Sequence, residues 1–414
     1  MRILVNDYAG HPFQLQLSRA LARDGHTVLH TYFGGHQAPK GRTDVDAELS
    51  SHLAIEAVSI SGTFKQHSAM SRWKTDREYG AAICRRIEEL KPDIVISANT
   101  PLDAQKQILA QTHKVGGAFV FWLQDVLSVA MQFVLRKKGI PFADLAGRIY
   151  SRLERRLLQR SDAVVCIAPE FLVQLRRWNV DEGKVSVIEN WSPLDEIVPG
   201  DRDTAWADEQ GLQGRLRMIY SGTLGMKHRP ELLLELARAF EGRDDMAIVV
   251  VAQGAGADWL KKQPQPANLR VLPFQPYERH AEVLASADVL ITLLDDDCGS
   301  FSVPSKTLAY MCAGRASLVA APRDNLTSRI IARTGAGIAT VPTAPDFLAG
   351  ATRLLDDARL RAECGARARA HAQSAFAIDM IRDRFTAAFE TALRRLPRSR
   401  SETVREPSRS VAAD

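Results

Sequence analysis

A chain of 414 residues, 45% hydrophobic and 25% charged, has the make-up of a soluble globular protein and is too long for one typical core, so two domains are expected. No apolar run approaches the roughly 18 residues a membrane span needs. The net charge of +5 is modest, and the five cysteines are widely spaced with no Cys-x-x-Cys pair, which argues against a disulfide framework and a structural zinc.

Residues 2–5 form a short apolar run, too short for a secretory signal core, and read as a first strand. Phe13, Leu17, Ala20 and Leu21 then recur at helical spacing until Gly25 stops the helix. Residues 27–32, 93–97, 118–123, 163–167 and 185–188 read as further strands, separated by helical stretches such as 78–90, 103–112 and 145–159. Short apolar strands alternating with helices predict a parallel sheet covered on both faces. The pattern restarts after a polar stretch that ends near Gly214. Strands are expected at 217–220, 247–252, 269–272, 289–294 and 317–321, and helices from near Pro230 and at 278–285, 305–313 and 325–333. The fold class is therefore α/β, with two Rossmann-like domains facing each other across a cleft. They are expected at 1–192 and 193–370, followed by a helix at 371–396 that packs back on the first domain. The tail at 397–414 is rich in Arg, Ser, Glu and Pro and should be disordered.

In such sheets ligands bind beyond the carboxyl ends of the strands. Four loops there carry candidate chemistry. Ser221-Gly222-Thr223-Leu224-Gly225-Met226-Lys227 follows a strand and precedes a helix, so its backbone N–H groups and Lys227 can meet a phosphate; a plain turn with a solvated lysine is the simpler alternative. Cys298-Gly299-Ser300-Phe301-Ser302-Val303-Pro304-Ser305-Lys306 precedes another helix, with Ser305 at the N-cap position. Lys306 in that first turn opposes the helix dipole, and a bound diphosphate would explain it better than helix stability does. Asn6-Asp7-Tyr8-Ala9-Gly10-His11-Pro12 is a glycine-containing turn without the Gly-x-Gly-x-x-Gly fingerprint, and no acidic residue ends the next strand, which argues against a dinucleotide dehydrogenase. Gln124 and Asp125 close a buried strand, where Asp125 could instead cap the next helix.

These loops, in this order, resemble the retaining glycosyltransferases of the GT-B fold, family 4 type. Within them the chain looks like the bacterial branch that builds O-antigen, colanic acid and other exopolysaccharides, which includes N-acetyl-L-fucosamine transferases. The resemblance spans about residues 1–390. It rests on Gly10-His11-Pro12, Trp122-Leu123-Gln124-Asp125, Leu153-Glu154-Arg155-Arg156 with Ser161-Asp162-Ala163, Ile188-Glu189-Asn190-Trp191, the 221–227 turn, Ser286-Ala287-Asp288-Val289, and Val303-Pro304-Ser305-Lys306 through Gly314.

What the resemblance implies is transfer of a sugar from a nucleotide-diphosphate-sugar co-substrate, with no metal and no other cofactor. On the donor side it places Gly10, Gly222, Thr223, Lys227, Phe274, Gly299, Ser300, Ser305 and Lys306, with Phe274 at the nucleobase. On the acceptor side are His11, Gln124 and Asp125, and the catalytic pair would be Lys227 and Asp125. The family reaction runs on the front face, with the leaving phosphate taking the acceptor's proton and no protein nucleophile. The chain departs from the family at three points: Thr223 stands where an arginine is common, Phe301 and Ala309 stand where a Glu-x7-Glu pair is usual, and Gln124 stands for a histidine. A nucleotide-sugar epimerase using Asp295, Asp296 and Asp297, or a non-catalytic partner of another transferase, are the alternatives.

Between Arg136 and Arg160 there are eight basic residues against two acidic ones. No aromatic side chains are interleaved as a nucleic-acid platform requires, so no nucleic acid is expected. Ile149, Tyr150, Leu153 and Leu157 fall on one helical face and the arginines largely on others, a pattern suited to an anionic membrane surface. A lipid-linked glycan acceptor, and a cytoplasmic place at the inner face of the membrane, fit that pattern.

Overall fold

The computed structural model describes residues 1–35, 40–60, 69–137, 143–298 and 304–397. The tail expected to be disordered lies, from residue 398 onward, outside the described residues. The chain divides into two compact units, one of Met1–Glu189 with the described residues from Ile378 onward, the other of Asn190–Ala377. The sequence reading divides the chain near 192; the structure passes it to the second unit at Asn190. Trp191 is buried, and the Ser192 carbonyl accepts from the Cys312 thiol of that unit at 3.7 Å.

The first unit holds β1 (Arg2–Asp7), β2 (Thr27–Phe33), β3 (Leu53–Val58), β4 (Ile94–Ala98), β5 (Ala118–Leu123), β6 (Ala163–Cys166) and β7 (Val185–Val187). Their order is β3-β2-β1-β4-β5-β6-β7, and all pairs are parallel. The second unit holds β8 (Leu216–Ser221), β9 (Met246–Val251), β10 (Leu269–Leu272), β11 (Val289–Leu293), β12 (Ala316–Ala320) and β13 (Gly337–Thr340). These are again parallel, in the order β10-β9-β8-β11-β12-β13. Strands such as β5 and β9 are buried along their whole length, which is why they read as unbroken apolar runs. β3 and β13 escape that reading because they lie at sheet edges, are only partly buried, and carry Glu56 and Gly337 respectively. Gly337 has a packing reason: a Cβ there would lie 1.9 Å from the Ser317 carbonyl oxygen of β12.

Each order reverses once, between β1 and β4 in the first sheet and between β8 and β11 in the second. Loops leaving the carboxyl ends of adjacent strands diverge at such a reversal and open a crevice. The helix Pro12–Arg23 follows β1, with Pro12 in its first turn and left-handed Gly25 just beyond its end. The helix Lys306–Cys312 follows β11, and Glu231–Ala239 follows β8 after a short 3-10 turn at Met226–His228.

The helix Ala358–Ala375 ends at buried Phe376, and a separate helix, Ile378–Arg394, packs on the first unit. Phe385 and Phe389 are fully buried there, and the Phe385 ring meets Trp122 of β5 edge-on at 4.7 Å. Arg384 donates to the Val187 carbonyl of β7, and Arg395 pairs with Asp181 at 2.6 Å.

Candidate functional site

In the second unit two of the candidate loops leave the two strands that flank the reversal. β8 ends in Tyr220 and Ser221, and the chain turns at Gly222, whose φ of +135° favours glycine. A Cβ on Gly222 would also lie 3.1 Å from Cε of Lys306, the first residue of the helix after β11. Lys306 lies across this turn. Its ammonium sits 4.0 Å from the centroid of the Tyr220 ring, donates to the Tyr220 hydroxyl and reaches the Thr223 carbonyl at 3.2 Å. The Tyr220 hydroxyl in turn donates to the Thr223 carbonyl at 2.8 Å. Tyr310, one turn along the Lys306–Cys312 helix, fastens the other side: its hydroxyl donates to the Ser221 carbonyl at 2.9 Å and accepts from the Ser221 N–H at 3.0 Å.

Burial first, and then the charge of Lys227, push the Lys306 ammonium down from the ordinary lysine range to about 7. Lys227 is exposed, and its carbonyl accepts from the Asp295 N–H at 2.9 Å, which ties the loop after β8 to the loop after β11. Next to it, His228 is buried. Its Nδ1 accepts from the Gly225 N–H at 2.9 Å, and burial together with the charges of Lys306 and Lys227 holds its pKa at about 2. A neutral, buried imidazole thus closes the base of a site whose two lysine charges repel each other. Such a site is suited to an anion, which relieves that repulsion.

A third segment holds this turn and was not singled out from the sequence. After β9 the chain runs Gln253-Gly254-Ala255-Gly256 into the helix Ala255–Lys261. The Leu224 N–H donates to the Gln253 carbonyl at 2.9 Å, and the Gly256 N–H donates to the Leu224 carbonyl at 2.8 Å. Gly254 has φ +116°, and a Cβ there would lie 2.8 Å from the Leu224 oxygen. The Gly-x-Gly spacing directly after an apolar strand was the signal that could have found it.

The other donor-side candidates fall as follows. Thr223 and Ser305 are exposed. Ser305 occupies the N-cap position, but its hydroxyl makes no capping hydrogen bond. Phe274 follows β10 and is half-buried, beside Gln275, whose amide oxygen accepts from the Trp206 indole N–H at 3.2 Å. Gly299 and Ser300 lie outside the described residues. Among the described residues no three His, Cys, Asp or Glu side chains gather to hold a metal ion.

In the first unit, Gly10 has φ +76° and lies against the Lys40 stem, where a Cβ would stand 3.2 Å from Cγ. His11 is the N-cap of the helix after β1. The Asp7 carboxylate accepts from the backbone N–H groups of Ala9, at 3.1 Å, and His11. Gln124 is buried and Asp125 half-buried just beyond β5. At the start of the next helix, Leu127–Lys137, the fully buried Glu154 carboxylate accepts from the N–H groups of Leu127 and Ser128, both at 3.0 Å. Burial raises Glu154 to about 6 despite those bonds.

The basic helix, Ala143–Arg160, presents a different face from the one its spacing suggests. Leu157 and Leu158 are buried and Tyr150 is half-buried, its hydroxyl donating to Asp103 at 2.9 Å. Leu145 and Ile149, by contrast, are 55% and 53% exposed, alongside Arg148, Arg152, Arg155 and Arg156. Gly147 decides this rotation: a Cβ there would stand 2.7 Å from Gln132 Cγ, so the neighbouring helix packs on the glycine side. The Lys137 side chain and Lys138 lie outside the described residues. No described helix is long and apolar enough to cross a membrane.

Residues 10–191 match the model of the glycosyl transferase 4-like domain. That domain, followed by a second parallel sheet of the same kind, makes the chain a glycosyltransferase of the GT-B fold. Solved structures agree on the fold. Sucrose-phosphate synthase from Thermosynechococcus elongatus superposes with a TM-score of 0.71 at 14% identity, over 94% of this chain and 98% of that one. The Anabaena protein HepE, in complex with UDP and glucose, gives 0.68 at 14% identity, over 94% and 99%. WaaG, a glycosyltransferase involved in lipopolysaccharide biosynthesis, gives 0.65 at 16% identity, over 93% and 98%. No curated protein matches the sequence.

Proposed function

We propose that the glycosyltransferase uses a nucleotide-diphosphate-sugar donor, transfers its sugar with retention of configuration, and acts on a polyprenyl-diphosphate-linked glycan in bacterial surface polysaccharide synthesis. The observation that carries the donor site is the position of Lys306, nested on Tyr220 and Thr223 where the second sheet reverses and adjoining the exposed Lys227. Lys227, Lys306 and the N–H groups of the Gly222–Gly225 turn would stabilise negative charge as it grows on the departing diphosphate. In this reading the ammonium groups do the electrostatic work that a metal ion does in other transferases. Thr223 and Ser305 border the same phosphates, Phe274 faces the base, and Gly10 leaves room for a phosphate beside the first loop. His11, Gln124 and Asp125 serve the acceptor. HepE, of the same fold, is described in complex with UDP and with UDP-glucose, which favours a nucleoside diphosphate leaving group here.

A lipid-linked acceptor requires the enzyme to reach a membrane. The exposed face of the helix Ala143–Arg160 combines apolar Leu145 and Ile149 with four arginines, and such a face binds anionic lipid. The enzyme would then work at the cytoplasmic surface of the inner membrane.

A thermal-shift screen against UDP-, GDP-, dTDP- and CMP-linked sugars tests the donor reading, because a ligand that binds only the folded state raises its melting temperature. At least one donor should stabilise the protein, and Lys227→Ala and Lys306→Ala should each abolish that shift without lowering the unliganded melting temperature. Shifts that persist in both variants would count against the site.

A further inference from the structure

A second helix start lies beside the basic helix, at the carboxyl rim of the first sheet. The helix Ala69–Leu90 packs on the helix Leu102–Val115 through Gly80, where a Cβ would lie 2.9 Å from the Ala104 Cα. Both helices lead from the carboxyl end of one parallel strand to the amino end of the next, β3 to β4 and β4 to β5, so they run side by side in one direction. Leu102–Val115 begins just before Ala104, whereas Ala69–Leu90 extends back from Gly80 by roughly three turns. Trp73 lies two turns before Gly80 on the same side of its helix, beyond the start of the neighbour, and is 44% exposed. The Arg77 guanidinium covers one side of its ring at 4.7 Å from the centroid, and Lys74 is exposed next to it. The basic helix reaches the same place. Tyr150 donates to Asp103, in the first turn of Leu102–Val115, and the turns before Tyr150 carry the exposed Leu145, Arg148 and Ile149 past that start. Burial, then Asp103, then the charge of Asp76 raise the Tyr150 hydroxyl to about 12, which puts Asp76, one turn after Trp73, close to the basic helix. Asp76 itself turns inward and accepts from the Tyr8 hydroxyl at 3.5 Å, just past the end of β1.

We propose that the start of Ala69–Leu90 is a second anchor on anionic lipid, with Trp73 seated among the headgroups and Lys74 and Arg77 at their phosphates. The inference rests on the reading of the basic helix as a membrane dock and adds a residue set and an orientation to it. An indole with an apolar body and one N–H donor is suited to the boundary between acyl chains and headgroups. Charge selects the partner. Among these exposed groups the carboxylates are already paired, Glu78 with Lys74 at 3.8 Å and Asp144 with Arg136 at 2.5 Å, so the outward excess is cationic. Each basic residue near an anionic surface strengthens partitioning by roughly fivefold. Both helix starts lie at the rim where Tyr8 follows β1 and Asp103 follows β4. Docking on the two together turns the loops that bear His11, Gln124 and Asp125 toward the headgroups, where a lipid-linked glycan presents its diphosphate.

The test uses the full chain and vesicles of phosphatidylcholine, alone or with an equal part of phosphatidylglycerol, with brominated acyl chains as the quencher of tryptophan fluorescence. Of the six tryptophans, Trp122, Trp191 and Trp206 are at most 1% exposed, Trp178 is 8% exposed and Trp259 packs on the core of the second unit, so the quenching reports on Trp73. Anionic bromolipid should quench the wild type, and Trp73→Phe should remove most of that quenching. Lys74→Gln/Arg77→Gln should weaken partitioning into anionic vesicles by about 10–30-fold, two charges at roughly fivefold each. The melting temperature and the thermal shift given by nucleotide sugars should be unchanged in these variants, which alter exposed side chains away from the donor site. Quenching that persists in Trp73→Phe, or partitioning that Lys74→Gln/Arg77→Gln leaves unchanged while Leu145→Ser/Ile149→Ser abolishes it, overturns the inference and leaves the basic helix as the dock. Equal quenching by vesicles of phosphatidylcholine alone overturns the choice of anionic lipid. A wild-type protein that binds neither vesicle overturns this inference and the membrane reading together, and the donor site stands or falls separately on its thermal shifts.

Discussion

At the scale of single residues, Lys306 is the most informative group, because its environment couples charge to binding. Its pKa in the folded protein is about 7, against 10.5 in an exposed lysine, owing to burial and to Lys227. The groups around it do not compensate: His228 is neutral at any physiological pH, and burial pushes the Tyr220 and Tyr310 hydroxyls above their ordinary values. Between these two values the unfolded chain holds a proton that the folded one lacks, so this residue adds stability as pH rises through that window. A diphosphate favours the ammonium form, so nucleotide binding at pH 8 should take up a proton and nucleotide affinity should fall as pH rises. Calorimetry in two buffers of different ionisation enthalpy measures the uptake directly, and Lys306→Met should remove it. Gly222 permits this arrangement. Gly222→Ala puts a side chain at φ +135° and against Lys306 Cε, and should cost about 1–3 kcal/mol of stability, read by urea unfolding, as well as nucleotide affinity. The two residues stand in two separate loops, each singled out in the sequence by its Gly and Lys content. Their partner Tyr220 did not stand out, because a tyrosine ending a strand looks like any half-buried aromatic until a lysine lies on its ring.

At the scale of elements, two contacts distant in sequence decide local structure. Phe385 on the helix Ile378–Arg394 is fully buried against Trp122 of β5, so Phe385→Ala should destabilise the first unit by about 3–5 kcal/mol in denaturant unfolding. Glu154 caps a helix that begins 27 residues before it. Its pKa is raised to about 6, so its stabilising effect is complete below the ordinary glutamate value and is lost as pH rises through 6. Glu154→Gln should flatten the pH dependence of stability across that interval. With a single acceptor left for two buried N–H groups, it should also cost about 1–3 kcal/mol. The sequence offers Asp125 beside this helix as a possible cap, the alternative to a place in the site. A carboxylate from the next helix accepts from two of its first N–H groups as well, because a buried helix start is satisfied by whatever packing brings to it.

At the scale of the molecule, the basic region makes one further prediction. Co-sedimentation with vesicles containing anionic lipid should fall sharply in Leu145→Ser/Ile149→Ser and in Arg148→Glu/Arg152→Glu, while vesicles of neutral lipid should bind neither these variants nor the wild type. Equal binding by all forms would remove this helix from the docking surface. The alternation of apolar strands with helices, and its restart after the polar linker, were enough to specify two doubly wound sheets, because buried parallel strands must be apolar throughout. The loops bearing Lys227, Lys306 and His11 were legible too, since glycine and charge at the end of an apolar strand have few structural uses. Tertiary structure alone decided which strands flank each reversal, that Lys306 lies on Tyr220, that Asp7 is buried against His11, and which face of the basic helix is exposed. Each of these depends on contacts between residues far apart in the chain, and periodicity along the sequence records which side of an element is apolar without recording what it will meet.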